Sequence, residues 1–312
     1  MKSLRLLIIS YILSVLLACE QDSDTPQTLA INTASKIEVT DFTGNTVLLD
    51  KPAQRIIALA PHIVENVYTA GAGAQLIGVV SHSDFPEAAK ALPLVGGYAN
   101  TNLEKILELQ PDLIIAWQSG NSDTSISRIR ELGFPVYVDQ PDTLDDLAKS
   151  VRDIGILSGH FEQADKAMQS YLTSLQSIKN KNQSKDKVSA FYQVWNSPLQ
   201  TINGKHIISD AIEVCGGKNI YANEKVIAPK INIESIIERD PQAIIASGMS
   251  NARPDWLDDW KQWNTLTAVQ NDNLFFVDPD HIQRHTARIL LGIKSICEQL
   301  DIARSKNAIK NG

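Results

Sequence analysis

Two fifteen-residue segments, 130 positions apart, constrain this chain more than any other feature. Asn102-Leu-Glu-Lys-Ile-Leu-Glu-Leu-Gln-Pro111-Asp-Leu-Ile-Ile-Ala116 aligns with Asn232-Ile-Glu-Ser-Ile-Ile-Glu-Arg-Asp-Pro241-Gln-Ala-Ile-Ile-Ala246, with eight identities and two Leu–Ile exchanges. In each copy an Asn is placed to accept from the first free amides of a helix, and a Glu two residues later suits the positive helix end. Leu103, Ile106 and Leu107, like Ile233, Ile236 and Ile237, form one apolar stripe at helical spacing. Proline then stops the helix and an Ile-Ile-Ala strand follows. The same helix–strand unit occurring twice predicts two similar lobes, and 312 residues leave room for both.

Around the repeat, short apolar runs alternate with helical patterns. Residues Ile37 to Leu49 read as a hairpin turning at Gly44-Asn45. Candidate strands follow at Arg55 to Ala60, Leu76 to Ser81, Leu113 to Trp117 and Val136 to Asp139, with a restart at Val188 to Trp195, Ala243 to Ser247 and Leu274 to Asp278. Helices between strands imply parallel sheets, so the expected class is α/β, two Rossmann-like lobes with a ligand cleft between them. Ala164, Ala167, Met168, Tyr171, Leu172 and Leu175 give Phe161 to Ile178 a helical stripe, which predicts one long helix joining the lobes. The expected division is 36–158 for the N-terminal lobe, 159–183 for the connecting helix and 184–305 for the C-terminal lobe.

The chain opens with a different kind of signal. Lys2 and Arg5 precede an apolar run from Leu6 to Leu17, too short for a bilayer span of roughly 30 Å but suited to a secretory leader. The run ends Leu16-Leu17-Ala18-Cys19, which resembles a bacterial lipobox, so residues 1–18 are expected to be removed and Cys19 to carry the lipid. Residues 19–35, rich in Asp, Ser, Thr, Gln and Pro, then read as a flexible tether spanning roughly 20 to 25 Å. This implies a periplasmic protein held to a membrane. Cys215 and Cys297 remain, in a compartment that permits disulfides; a bridge between two helices and a pair of buried thiols both fit the sequence.

Several classes are excluded or weakened. The chain carries 29 basic and 36 acidic side chains, net −7, which argues against nucleic acid as a partner. No Gly-x-Ser-x-Gly elbow or His-Glu-x-x-His helix occurs, and neither Gly71-Ala-Gly73 nor Gly217-Lys218-Asn219 completes a nucleotide loop, so no catalytic constellation assembles. His281 and His285, four apart, are the one pair spaced to share a metal, and they lack a carboxylate or cysteine pattern beside them. Trp256, Trp260 and Trp263 read as a stripe closing the second lobe.

The repeat, the long connecting helix and the leader together resemble the substrate-binding proteins of ABC importers, in the single-helix-backbone class that serves cobalamin, ferric siderophores and haem. Within it the chain is most similar to the cobalamin-binding members, from about Arg55 to Leu300. The resemblance is carried by Gly78-Val-Val-Ser-His-Ser-Asp84-Phe85-Pro86, Asn102-Leu-Glu104, Pro111-Asp-Leu-Ile-Ile-Ala-Trp117, Glu213-Val-Cys215-Gly216-Gly217-Lys-Asn219-Ile220 and Asp280 with Arg284, Arg288 and Cys297. The Asp-Phe-Pro and Cys-Gly-Gly-x-Asn segments are its most specific part.

The resemblance implies a corrinoid held between aromatic side chains in the cleft, with no catalytic cofactor and no chemistry on the ligand. Carried over by position, Trp117 matches a pocket Trp, Tyr98 stands at another Trp, His82 at a Tyr, and Trp195 near a pocket Phe. Asp280 and Arg284 match polar residues at the rim, and Phe85 supports the loop. Ala228 departs from the pattern where a further Trp can occur, so one wall is less aromatic. Read from the residues alone, core packing at a strand end is the alternative for Trp117. Glu104 and Glu234 match glutamates that meet arginines of the permease; they are also ordinary helix-start charges. The expected partners are cobalamin or a related corrinoid and an ABC permease with its ATPase, and the protein is expected to be a monomer. Haem or a ferric siderophore as ligand, a metal-cluster receptor built on His281 and His285, and a corrinoid-processing enzyme are the rivals.

Overall fold

A computed structural model describes residues 36–97, 99–248 and 252–311, with side chains up to residue 306. Cys19, the leader, the tether and Tyr98 lie outside the described residues.

The N-terminal half begins with the antiparallel hairpin β1 (Ile37–Thr40) and β2 (Thr46–Leu49). Next come β3 (Ile56–Ala58), α1 (Pro61–Thr69), β4 (Leu76–Val79), α2 (Leu103–Leu109), β5 (Leu113–Trp117), α3 (Asp123–Glu131), β6 (Val136–Asp139) and α4 (Asp146–Ser158). Strands β4-β3-β5-β6 form one parallel sheet. The connecting helix α5 (Phe161–Asn182) packs along α4. The second half contains β7 (Val188–Gln193), the short hairpin β8 (Trp195–Asn196) and β9 (Leu199–Gln200), α6 (Ile207–Val214), β10 (Gly217–Asn219), α7 (Ile233–Arg239), β11 (Ala243–Ala246), α8 (Thr267–Gln270), β12 (Leu274–Phe276), α9 (Pro279–Ile282) and α10 (Ile289–Asn311). Its sheet, β10-β7-β11-β12, is also parallel and repeats the strand order of the first.

The duplication holds down to single hydrogen bonds. Asn102 accepts from the Lys105 amide at 3.0 Å, and Asn232 from the Ser235 amide at 3.0 Å. Each helix ends on a left-handed residue just before its proline, Gln110 (φ 47°) and Asp240 (φ 37°), so the chain turns one residue earlier than proline alone dictates. The residue after each proline then fixes the incoming strand: Asp112 accepts from the Arg55 amide, and Gln242 from the Ser189 amide, both at 2.9 Å. Ile106 and Ile236 are fully buried, whereas Leu107, expected in the stripe, is 45% exposed; a seven-residue helix on a sheet edge covers only its innermost row.

Two further points bear on the sequence reading. Cys215, just past α6, is bonded to Cys297 in α10, so the bridge rather than the thiol pair is present. The three tryptophans sit on a 3-10 helix (Asp255–Gln262) and the residue after it; Trp260 is buried edge-on against Phe191, and Trp256 and Trp263 are half-buried at the surface. Among the described residues no helix is long and apolar enough to cross a membrane.

Candidate functional site

Parallel strands of both lobes end at one crevice, the place where open α/β sheets bind ligands. A cavity of about 330 Å³ lies there. The first lobe contributes Trp117, Ser119 and Gln140 to Asp142, from the ends of β5 and β6. The second contributes Tyr192 and Val194 at the end of β7, Ile202, Lys205 to Ile208 at the start of α6, Ile227, Ala228, Gln283 and His285. The lining is mainly apolar, with a few polar groups around it, the usual chemistry of a small-molecule site.

Trp117 is held by its own loop. Its amide donates to Asn121 Oδ1 at 2.7 Å, and Asn121 Nδ2 donates to the Leu59 carbonyl at 3.0 Å, which pins the end of β5 to the end of β3. Gly120 lies under the indole so closely that a Cβ there would fall within the ring. Neither Asn121 nor Gly120 stands out in the sequence, although a glycine three residues beyond a strand-end tryptophan is the kind of mark that a close approach leaves.

Three imidazoles from different parts of the chain meet at the cavity, two of them, His206 and His285, in its lining. His62 of α1 stands edge-on to Trp117 at 5.1 Å, His285 lies 5.4 Å from His62 and 6.2 Å from Trp117, and His206 lies 6.0 Å from His285. Burial lowers His62 to about 3, helped by the charge of Arg284. Burial lowers His206 to about 4 against the pull of Asp142, and it lowers His285 well below the usual value, with His62 and His206 adding to the effect. All three are therefore neutral at pH 7 and pack as aromatic rings. Burial also raises the neighbouring Asp139 to about 7; its free carboxylate oxygen lies 3.7 Å from His62 Nε2, beyond hydrogen-bond distance.

Ion pairs also join the two lobes. Arg284 meets Glu65 at 2.9 Å and Asp84 at 2.7 Å, both in the first lobe, and Asp280 at 3.0 Å in its own lobe. Arg288 also reaches Glu65, at 3.2 Å, and its guanidinium covers the Phe85 ring at 3.9 Å. Asn66 Nδ2 donates to the His285 carbonyl at 3.0 Å. Glu65 is buried, which pushes its carboxyl upward despite the two arginines.

The residues singled out in the sequence are thus divided by the fold. Trp117 and Ala228 line the cavity. Asp280 and Arg284 are not among the cavity's lining residues; they pair with each other, and Arg284 also reaches Glu65 and Asp84 of the first lobe, a pairing the sequence did not indicate. Phe85 carries Arg288, which fits a supporting role. His82 is exposed, left-handed (φ 67°), two residues from Asp84, and does not line the cavity. Trp195 is 37% exposed, its indole donating to the Ser197 carbonyl at 2.9 Å, and its neighbour Val194 faces the cavity instead. Glu104 and Glu234 are both exposed at equivalent helix starts. His281 and His285 part company: His285 is buried among the imidazoles, while His281 lies 3.9 Å from Asp278 at the surface. Among the described residues no group of three or more His, Cys, Asp or Glu is arranged to hold a metal ion.

Residues 56–281 match the periplasmic binding protein family. The chain belongs to that family. It is 37% identical over 255 residues to the vitamin B12-binding protein of Vibrio campbellii, covering 82% of this chain and 92% of that protein. The crystal structure of the periplasmic vitamin B12 binding protein of Vibrio cholerae superposes with a TM-score of 0.75 at 36% identity, covering 81% of this chain and 98% of that one. A periplasmic haem-binding protein from Roseiflexus has the same fold, with a TM-score of 0.70 at 18% identity, over 80% of this chain and 99% of its own. These relatives are binding proteins for transport, not enzymes, and so is this one.

Proposed function

We propose that the protein captures cobalamin or a related corrinoid in the inter-lobe cleft and delivers it to an ABC permease, staying near the membrane through lipid on Cys19. The observation that carries this reading is the conjunction of Trp117 at the cavity wall with a relative of 37% identity, a vitamin B12-binding protein matched over 92% of its length. A rigid indole face and an apolar lining with scattered amides suit a large ring system fringed with amide groups.

The cavity, at about 330 Å³, is at the small end for ligand sites and holds less than a whole corrinoid. Entry therefore requires the lobes to part, the N-terminal lobe (36–158) swinging from the C-terminal lobe (184–305) about the connecting helix. The contacts that must yield are those of Arg284 with Glu65 and Asp84. Arg284 and Asp280 are then free to turn to the amide fringe of the guest. His82 and Trp195, and Tyr98, which lies outside the described residues, are assigned to the guest by their position in the sequence alone. Glu104 and Glu234, one on each lobe, meet arginines of the permease and report lobe separation to it.

Titrating the mature protein with cyanocobalamin, cobinamide, haemin and a ferric siderophore tests the ligand. Saturable binding of the corrinoids is expected; tight haemin binding with no response to either corrinoid would refute it. For docking, the double variant Glu104→Ala, Glu234→Ala is expected to bind cyanocobalamin normally and to fail in uptake. Normal uptake would remove these residues from the interface.

A further inference from the structure

Charge is scarce in the lining of the inter-lobe cavity, and it is unevenly placed. Only Asp142, from the first lobe, and Lys205, from the second, bring a charged side chain to it at pH 7. Both are exposed, and among the described residues no carboxylate pairs with Lys205. Asp142 is engaged within its own lobe, where its Oδ1 accepts from Gln140 Nε2 at 2.8 Å. A cation without a counter-charge at the wall of a ligand cavity suits an anionic group on the guest.

Lys205 stands on a fixed turn. Its amide donates to Asn203 Oδ1 at 2.9 Å, Asn203 Nδ2 donates to the Glu224 carbonyl at 2.9 Å, and Ser209 Oγ donates to the Asn203 carbonyl at 2.6 Å. Gly204 lies so close to the neighbouring segment that a Cβ there would meet the Ala222 carbonyl at 2.8 Å. His206, also in the lining, is held from the other side, its Nδ1 accepting from the Ile208 amide at 3.2 Å. The ring is neutral, burial having lowered it to about 4, so its one proton lies on Nε2, which is left as a donor. Ile202, Ile207 and Ile227 give the same end of the cavity an apolar wall.

Cobalamin and cobinamide share the corrin ring, and cobalamin adds a nucleotide tail made of a phosphodiester, a ribose and an apolar base. We propose that Lys205 and the Nε2–H of His206 bind that phosphodiester, with the base against the isoleucines, so that the site selects corrinoids carrying the complete tail. The proposal rests on the corrinoid reading above and deepens it. Asp142 repels an anion, which confines the phosphodiester to the second-lobe side and leaves the ring to Trp117 on the first. A cavity that holds less than a whole corrinoid thus takes in the closed form the end of the guest that its polarity matches.

Calorimetric titration of the mature protein and its variants with cyanocobalamin and dicyanocobinamide tests this. The wild type should bind cyanocobalamin at least about tenfold more tightly than cobinamide. Lys205→Met should lose about tenfold for cyanocobalamin and change less than about twofold for cobinamide, whose retained binding shows that the variant is folded. Lys205→Arg should keep the preference, and His206→Phe should reduce it by about threefold. Raising the salt from about 0.05 to about 0.5 M should weaken cyanocobalamin binding in the wild type and not in Lys205→Met. Equal wild-type affinities, an equal loss for both corrinoids in Lys205→Met, or no loss for either would each overturn the proposal and leave the corrinoid reading standing. If the wild type binds neither corrinoid, that reading fails first and the tail site fails with it.

Discussion

Three neutral histidines buried between the lobes make stability depend steeply on acidity. His62, His206 and His285 hold folded-state values of about 3, about 4 and well below 6.5, against 6.5 in the unfolded chain. Between pH 6.5 and 4 the unfolded chain therefore binds up to three more protons at these sites, and stability must fall as pH falls through that window. Asp139 works the other way. Its folded value of about 7 exceeds that of a free aspartate, so the folded protein binds one extra proton over the same range. Glu65 and Asp210, also raised by burial, oppose the histidines in the same sense. The net excess is at most about two protons, worth roughly 2 to 3 kcal/mol of stability per pH unit between pH 6 and 5. Urea unfolding at pH 7.5, 6 and 5 measures this slope directly. His62→Phe keeps a ring against Trp117 and removes one titrating group, and should flatten the slope by about 1 kcal/mol per pH unit. Stability independent of pH over this range, or folded-state imidazoles titrating near 6.5 by NMR, would refute the reasoning.

Other perturbations separate the cavity from the scaffold. Trp117→Ala should weaken cyanocobalamin binding by about 30-fold, the equivalent of ~2 kcal/mol, with Trp117→Phe intermediate; unchanged calorimetric affinity would take the indole out of the site. Gly120→Val should displace that indole, lowering affinity by about tenfold and altering the near-ultraviolet dichroism, because a Cβ at this position falls within the ring. Cys297→Ser should cost about 4 kcal/mol, since the bridge spans 82 residues, and lower Tm by roughly 10 °C without changing ligand affinity.

The scaffold was legible in the sequence and the interior of the cleft was only partly so. Helix starts at Asn102 and Asn232, strands after Pro111 and Pro241 and the long helix from Phe161 follow from local signals, since caps, prolines and spacing act within a few residues. The imidazole cluster joins positions 62, 206 and 285, and each histidine alone looks like a surface residue; only the meeting of the lobes removes water from them. Arg284 was visible as a charged residue at a rim, yet its pairing with Glu65, 219 positions away, depends on how the lobes close. A positional match gives a residue's place on the fold, whereas its partner in a closed form is a property of two surfaces.

The two halves agree where they build sheet and diverge where they face the cavity. Ala116 and Ala246 are equivalent, so Trp117 corresponds to Ser247; by the strand pairing, Tyr192 corresponds to Ala58. Each lobe thus offers one large aromatic, but from a different strand: the first from β5 and the second from β7. Ser247 takes up the vacancy opposite by bonding the Tyr192 hydroxyl at 2.6 Å and accepting from Gln283 Nε2 at 2.6 Å, which holds the second lobe's aromatic upright. The backbone keeps its duplicate symmetry, as do the exposed glutamates at positions 104 and 234, while the cavity between them has none. Ser247→Ala should therefore loosen the Tyr192 ring without touching Trp117, which near-ultraviolet dichroism of the variant would register.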